Sequence, residues 1–306
     1  MALEKLDNSN IAVHLGRSSQ YKSQYDPSLL VKEPRSNNRK HLNIDDDNLP
    51  FVGFDTWNAY EISALTNNGL PVTGVAKIIY PASSKYIVES KSLKLYFNSF
   101  NMTKLGVTPG EVREKIEELA IKDLSELLGT EVYVTVFSDQ EIVIEPFTLL
   151  EEYYDGYVTL ESEYEHALTD EFNVYQETPS LLEITESDNT AVVKYHSALL
   201  KSNCRVTSQP DWGDVYITYE GNRDIDPVSL VKYIVSFRDE CHFHEEICET
   251  IFKRLNDALQ PEWLNVMCLY ARRGGIDINP ERCTSEEHLH VVLSNDAFFH
   301  IKTPKQ

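Results

Sequence analysis

The stretch Ser202-Asn-Cys-Arg-Val-Thr-Ser-Gln-Pro-Asp-Trp-Gly-Asp214 sets a thiol, Cys204, close in sequence to a carboxylate, Asp211, with a proline and a glycine between Ser208 and Asp214. A thiolate is an intrinsically strong nucleophile, and a nearby carboxylic acid can deliver a proton to whatever the sulfur attacks. A lone cysteine in an intracellular chain is more often a small buried hydrophobe. Whether Cys204 does chemistry therefore depends on what the rest of the chain brings to it.

Three other clusters carry groups of the right kind. Glu89-Ser-Lys-Ser-Leu-Lys-Leu-Tyr96 puts a glutamate and two lysines at the entry to a predicted helix. Backbone N–H groups at a helix start favour anions, and Lys91 and Lys94 share a face there. The same pattern also suits a solvated amphipathic helix. Cys241-His-Phe-His-Glu-Glu-Ile-Cys248 holds the usual zinc ligand types, but its spacing matches neither CxxC nor HExxH. Within it, His244-Glu245 makes a better hydrogen-bonding pair: glutamate accepts from a guanine-like edge, and histidine exchanges protons near neutral pH. Finally, Tyr270-Ala-Arg-Arg-Gly-Gly-Ile-Asp-Ile-Asn-Pro280 sets Arg272 and Arg273 beside a glycine pair. Guanidinium forks and exposed backbone donors there can wrap a phosphate, or the segment can be a plain hairpin loop.

Composition limits what these groups can act on. The 306 residues carry a formal charge of −21, which argues against nucleic acid as a bulk partner and makes each local cluster of cations informative. An apolar fraction of 42% with 25% charged residues is that of a globular chain. No apolar run approaches a membrane span, and Met1-Ala-Leu-Glu-Lys-Leu-Asp7 lacks a signal-peptide layout. Five cysteines without a regular framework fit free thiols in a reducing, cytoplasmic setting.

The elements that must hold the clusters come in two similar sets. Residues 1–50 read as an irregular polar arm over the first domain. Strands are expected over Trp57–Leu65 and Val72–Tyr80, joined by an Asn-Gly turn, with a helix over Ser92–Asn101. Thr108-Pro-Gly-Glu111 predicts a capped second helix whose apolar stripe is Val112, Ile116, Leu119, Leu124 and Leu127, ending at Gly129. Strands follow over Glu131–Phe137 and near Glu141–Pro146. Between Glu151 and Thr190 lie 12 acidic residues and neither Lys nor Arg, read as a solvated connection. Strands resume over Ala191–Leu200 and Asp214–Tyr219, then two helices within Val228–Leu259 with a break near Asp239–Phe243, then a strand over Leu264–Tyr270. Ser92 to Phe100 aligns with Ser229 to Phe237 at Ser, Leu, Tyr, Ser and Phe. The chain thus reads as an α+β tandem duplication, with modules over 51–150 and 191–306 and a ligand site expected between them.

Taken together, the four clusters resemble the NADPH-dependent 7-cyano-7-deazaguanine reductases, the QueF nitrile reductases of queuosine biosynthesis, in their long two-module form. The matching stretches are Glu89–Tyr96, Ser202–Gly213, Phe237–Glu245 and Tyr270–Pro280, in order within the repeat. The resemblance implies tunnelling-fold (T-fold) modules, antiparallel sheets each with two inserted helices, in a homodimer. It implies that Cys204 adds to the nitrile carbon to give a thioimide while Asp211 protonates the nitrile nitrogen, two NADPH being consumed. It implies substrate contacts from Glu89, Glu245, Ser90, His244 and the backbone of Val88. It implies cofactor contacts from Ser90, Lys91, Arg273 and Gly274, supported by Lys94 and Arg272, with neither metal nor flavin, and no direct contact with nucleic acid or membrane. Two readings compete with it: a zinc-dependent cyclohydrolase on the same fold using the Cys241–Cys248 region, and a non-catalytic purine-binding scaffold.

Overall fold

A computed structural model describes residues 22–138, 155–169, 171–290 and 295. The strand expected near Glu141–Pro146 lies outside the described residues. The first half opens with a short strand β1 (Lys32–Pro34) and one turn of helix α1 (Ser36–Arg39). The hairpin β2 (Val52–Thr66) and β3 (Pro71–Pro81) follows, each strand longer than expected, around a turn with Gly69 at φ +91°. After β4 (Tyr86–Val88), helix α2 (Ser90–Ser99) runs to β5 (Lys104–Gly106), helix α3 (Pro109–Leu128) and β6 (Tyr133–Phe137).

Helix α3 forms where its capping residues demand. Thr108 accepts from the Glu111 N–H at 3.2 Å, proline occupies the first turn, and Gly129 closes the helix at φ +67°. The Glu111 carboxylate reaches back to the N–H of Val107 at 2.7 Å, one residue earlier than a strict capping box. Val112, Ile116 and Leu124 are buried, while Leu119 and Leu127 pack at the margin of the same core.

The second half has a similar run of strands and helices. It contains β7 (Val158–Thr159), α4 (Leu160–Glu163), β8 (Ile184–Ser197), β9 (Lys201–Cys204), β10 (Pro210–Ile225), α5 (Pro227–Val235), β11 (Cys241–His242), α6 (His244–Leu259), β12 (Trp263–Tyr270) and β13 (Ile276–Cys283). The aligned serines and tyrosines make matching bonds in the two halves. Ser92 Oγ donates to the Glu89 carbonyl and Ser229 Oγ to the Asp226 carbonyl, both at 2.7 Å. Ser99 Oγ and Ser236 Oγ donate to the carbonyls of Tyr96 and Tyr233, both at 2.6 Å. The stripe Ile247, Ile251, Leu255 and Leu259 on α6 is buried, as its spacing requires.

The halves do not keep separate sheets. β13 pairs antiparallel with β12 on one side and with β2 on the other, giving one 11-stranded sheet whose main path is β11-β9-β10-β12-β13-β2-β3-β6, with β8 added on β10, β7 on β8 and β5 on β2. The pairing is mostly antiparallel; β5 on β2, β7 on β8 and β11 on β9 run parallel. Edge strands carry unpaired N–H and C=O groups, and joining β13 to β2 satisfies both sets. One core lies under α2 and α3, a second under α5 and α6.

Two expectations change. The described part of the acidic 151–190 stretch is packed as well as solvated: Leu160 is buried, and Leu168, Phe172, Leu181 and Leu182 lie against the second core. Its apolar residues, set singly among the acids, supply a buried side that the charge run conceals. The N-terminal arm covers more than the first half. Arg35 and Arg39 are buried at 3% and 1% exposure, and both reach Glu249 of α6, Arg39 at 2.7 Å and Arg35 at 3.5 Å. Arg282 of β13 joins Glu249 and Asp55 of β2 at 2.9 and 2.8 Å, and Arg35 pairs with Asp55. This buried ion network ties the arm, β2, β13 and α6 together. No helix among the described residues is long and apolar enough to cross a membrane.

Candidate active site

The β9–β10 hairpin brings Cys204 and Asp211 together. Ser202 lies opposite Asp211 and Asn203 opposite Pro210. Cys204 N–H donates to the Gln209 carbonyl at 2.8 Å, and Ser208, at φ +54°, donates its N–H to the Cys204 carbonyl at 2.9 Å. Successive strand residues face opposite sides, so Cys204 and Asp211 become diagonal neighbours on one face. Trp212 is the next residue along and remains 43% exposed. On the far side of β9, parallel pairing with β11 sets His242 opposite Cys204.

Helix α6 starts beside this hairpin. Its first residue, His244, stacks on Tyr270 with ring centroids 3.8 Å apart and places Nε2 3.3 Å from Asp211 Oδ2. The Glu246 carboxylate accepts from the Phe243 N–H at 2.9 Å, which fixes the helix start, and also takes Arg205 at 2.8 Å. His242 stands between Glu240, at 3.1 Å, and Glu246, at 3.4 Å. Burial works against a charge on His242, but the hydrogen bonds its ring donates to Glu240 and Glu246 outweigh it and push its pKa up to about 9.

The turn between β12 and β13 is a hairpin first. Arg273 N–H donates to the Ile276 carbonyl at 2.9 Å, and Gly274 and Gly275 sit at φ +58° and +77°, the paired positive values a primed two-residue turn needs. Its register aims Arg273 at the site, where the guanidinium pairs with Asp211 and donates to Gln209 Oε1 at 2.6 Å. Burial alone would raise the Asp211 carboxyl. His244 and Arg273 more than offset this and hold it below the ordinary carboxylate range.

These pieces enclose one cleft, with about 560 Å³ of empty space counting the solvent at its mouth. Its floor is Trp57 of β2 with Ile276 and Ile278 of β13. Around it stand Val88, Ser90, Lys91 and Lys94 from the start of α2, Phe243, His244 and Glu245 from the start of α6, then Cys204, Asp211, His242 and Arg273. The cleft therefore spans the seam where β13 joins β2, using both halves of the chain. Glu245 is 2% exposed and its Oε1 has no hydrogen-bond partner among the described residues; the same is true of His244 Nδ1. Burial, with the Asp55 charge added to it, pushes the Glu245 pKa up to about 8 against the pull of Arg35 and Arg282.

Not every expected residue reaches the cleft. Glu89 caps α2: its two carboxylate oxygens accept from the N–H groups of Lys91 and Ser92 at 2.9 and 2.7 Å, so the helix start already holds its anion. Asp226 caps α5 in the same way. Gly274 lies beside the cleft, its carbonyl accepting from Lys94 Nζ at 2.7 Å. Arg272 turns away onto the Tyr60 ring, 4.3 Å from its centre. Sequence reasoning missed Trp57, His242, Phe243, Ile276 and Ile278, because strand pairing rather than motif spacing brings them in. In the Cys241–Cys248 region, Cys241 is exposed, whereas Cys248 is buried with its thiol 3.5 Å from the carbonyls of Val266 and Pro280. Among the described residues no three His, Cys, Asp or Glu side chains are grouped as a metal site.

Comparison with known proteins gives first the class. A family model described as nitrile reductase, 7-cyano-7-deazaguanine-reductase N-term, matches residues 21–136, and one described as QueF-like protein matches residues 210–289. The curated relatives are more specific. A protein of Legionella pneumophila named NADPH-dependent 7-cyano-7-deazaguanine reductase is 43% identical over 270 residues, 88% of this chain and 89% of its own. Proteins of the same name from Chromohalobacter salexigens and Ralstonia nicotianae are each 41% identical, covering 89% and 88% of this chain and 92% and 91% of their own. The chain belongs to the family of NADPH-dependent 7-cyano-7-deazaguanine reductases. A solved structure, the archaeosine synthase QueF-Like in the apo form, aligns at 18% identity and a TM-score of 0.27 over 31% of this chain and 91% of its own.

Proposed function

We propose that this protein reduces the nitrile of 7-cyano-7-deazaguanine to the primary amine of 7-aminomethyl-7-deazaguanine through a covalent thioimide on Cys204, consuming two NADPH, in queuosine synthesis. The observation that carries the reading is the shared cleft: a thiol, a carboxylate–imidazole pair, a buried acceptor and a cationic mouth meet there. Cys204 sulfur bonds to the nitrile carbon. Its proton passes by way of Asp211 to the nitrile nitrogen, giving a C=N–H thioimide. Asp211 serves as the relay because His244 and Arg273 keep it ionised in the free protein, able to take a proton before it gives one. When bound, NADPH supplies one hydride to the thioimide and, after the C–S bond breaks and Cys204 is regenerated, a second to the imine. Each hydride is accompanied by one proton, so the nitrile and two NADPH with two protons become the amine and two NADP+.

Glu245 and His244 would hold the deazaguanine, with Ser90 and the Val88 backbone along the opposite wall. Lys91, Lys94 and Arg273 all line the cleft, which suits an anionic dinucleotide; Lys94 pairs with Glu61 and Arg273 with Asp211, while the Lys91 ammonium makes no ion pair among the described residues. Glu89 would contact the deazaguanine as well as fix the helix start that presents Ser90 and Lys91. The wider reading is a tandem pair of T-fold modules over 51–150 and 191–306, with 1–50 as an arm and 151–190 as a connection, assembled as a homodimer in the cytoplasm. The matching bonds at Ser92 and Ser229 support the duplication. Mixing the protein with 7-cyano-7-deazaguanine and following NADPH absorbance tests the function. Two NADPH should disappear per nitrile, and nitrile without cofactor should leave a covalent adduct by mass spectrometry. No NADPH loss would end the proposal.

A further inference from the structure

Trp57 is 1% exposed on the floor of the cleft, and its indole Nε1–H has no hydrogen-bond partner among the described residues. A buried donor left unmade loses its water without gaining a partner, so such a group in a ligand cleft calls for an acceptor that arrives with the ligand. The strand neighbours of Trp57 cannot supply one. Register sets Ile278 on one side and Ile78 on the other, both apolar. The other tryptophan with a described bond behaves differently: Trp263 Nε1–H donates to Glu220 at 2.6 Å.

Trp57 and Glu245 line the same cleft, and the Trp57 ring lies 6.4 Å from that of the buried Tyr80. Glu245 is an acceptor when ionised and suits the adjacent N–H donors of a guanine-type edge; indole N–H can only donate. In such a ring those donors are flanked by acceptors, the carbonyl oxygen on one side and a ring nitrogen on the other. Resting on the reading above, we propose that Trp57 determines substrate specificity by donating its Nε1–H to a ring acceptor of the deazaguanine, next to the donors taken by Glu245. The pair would read donor and acceptor together, so that a site built around both rejects a ring lacking either.

Trp57→Phe keeps an aromatic floor and removes the donor. It should raise KM for the nitrile about tenfold, the size of one lost hydrogen bond at 1.4 kcal/mol per decade, while KM for NADPH and kcat change little. Analogues lacking the ring carbonyl oxygen, or carrying carbon in place of the flanking ring nitrogen, identify the acceptor. Wild type should discriminate against one of them about tenfold, and Trp57→Phe should not. In parallel, wild-type protein labelled at the indole nitrogens should show a downfield shift of the Trp57 N–H resonance on binding nitrile, which decides the matter if the variant does not fold. Unchanged nitrile KM with unchanged discrimination, or an unmoved Trp57 resonance, overturns the assignment. Wild type that consumes no NADPH defeats the functional reading itself, a separate outcome.

Discussion

His244 Nε2 lies 3.3 Å from Asp211 Oδ2, while Arg273 holds the other oxygen of the same carboxylate. One residue proposed for the cofactor and one for the substrate thus meet on the group proposed to move the proton. Removing Arg273 takes away one of the two partners that depress the Asp211 pKa, so that pKa should rise. If ionised Asp211 accepts the thiol proton, kcat falls as pH drops through its pKa, and Arg273→Ala should move this acid limb to higher pH. The pH profile of nitrile reduction checks it; an unmoved limb would separate Asp211 from the rate. Asp211→Asn should lower the rate by roughly 10² or more with nitrile binding largely kept.

Lys91 and Arg273 allow the proposed cofactor contacts to be told apart from the proposed nitrile contacts. Lys91→Ala should raise KM for NADPH more than KM for the nitrile, because Lys91 lines the cleft and has no ion pair among the described residues. Arg273→Ala should do the same and add the pH shift above. Steady-state kinetics with each substrate varied in turn measures both, and an equal effect on the two constants would argue against a cofactor role.

Glu245 predicts a proton release. In the free protein burial holds its pKa at about 8, so at pH 7 it is mostly protonated. Ring N–H donors favour the carboxylate, which lowers the pKa in the complex. Nitrile binding should therefore release up to one proton below pH 8 and tighten as pH rises to that point. Calorimetry in buffers of different ionisation enthalpy counts the protons. Glu245→Gln should abolish the release; release persisting in that variant would place the proton elsewhere.

Much of this was legible in the sequence. Thr108, Pro109 and Gly129 mark both ends of α3, and the repeated Ser-Leu-Tyr-Ser-Phe pattern marks two similar helices because the second serine of each donates to the carbonyl of the tyrosine three residues earlier. Cys204 and Asp211 could be paired because a hairpin links them locally. What stayed hidden depends on long-range register. Trp57 reaches the cleft only because β13 pairs with β2, and His242 only because β11 lies along β9. Glu89 was read as a substrate ligand from the resemblance; the structure adds that its carboxylate caps the helix through the N–H groups of Lys91 and Ser92. Arg35 and Arg39 fell within the irregular polar arm and were not singled out, since nothing local announces a partner as distant as Glu249.

The two thiols near the hairpin allow a clean test of the nucleophile. Cys204 is partly buried in the cleft, whereas Cys241 is exposed on the neighbouring strand. Cys204→Ala should form no adduct with nitrile and consume no NADPH. Cys241→Ser should form the adduct in full. An adduct on Cys204→Ala would reassign the attack.

The buried network around Glu249 predicts how the fold responds to acid. Desolvation would raise this carboxyl, but Arg282, then Arg39 and Arg35, draw its pKa down to about 2. An unfolded glutamate titrates near about 4.3, so the stabilisation is fully present above that pH and is lost as pH falls toward 2. Glu249→Gln leaves three buried guanidinium groups short of one counter-charge and should cost roughly 3–5 kcal/mol at pH 7. The loss should narrow at pH 3, where the wild type has begun to surrender the same term. Urea titrations at the two pH values measure this. Because Glu249 lies one helical turn beyond Glu245 on α6, the variant should also weaken nitrile binding while leaving the KM for NADPH nearly unchanged. Equal stability of the two proteins at pH 7 would mean that the arginines find other partners, and that the arm does not anchor the helix that presents His244 and Glu245.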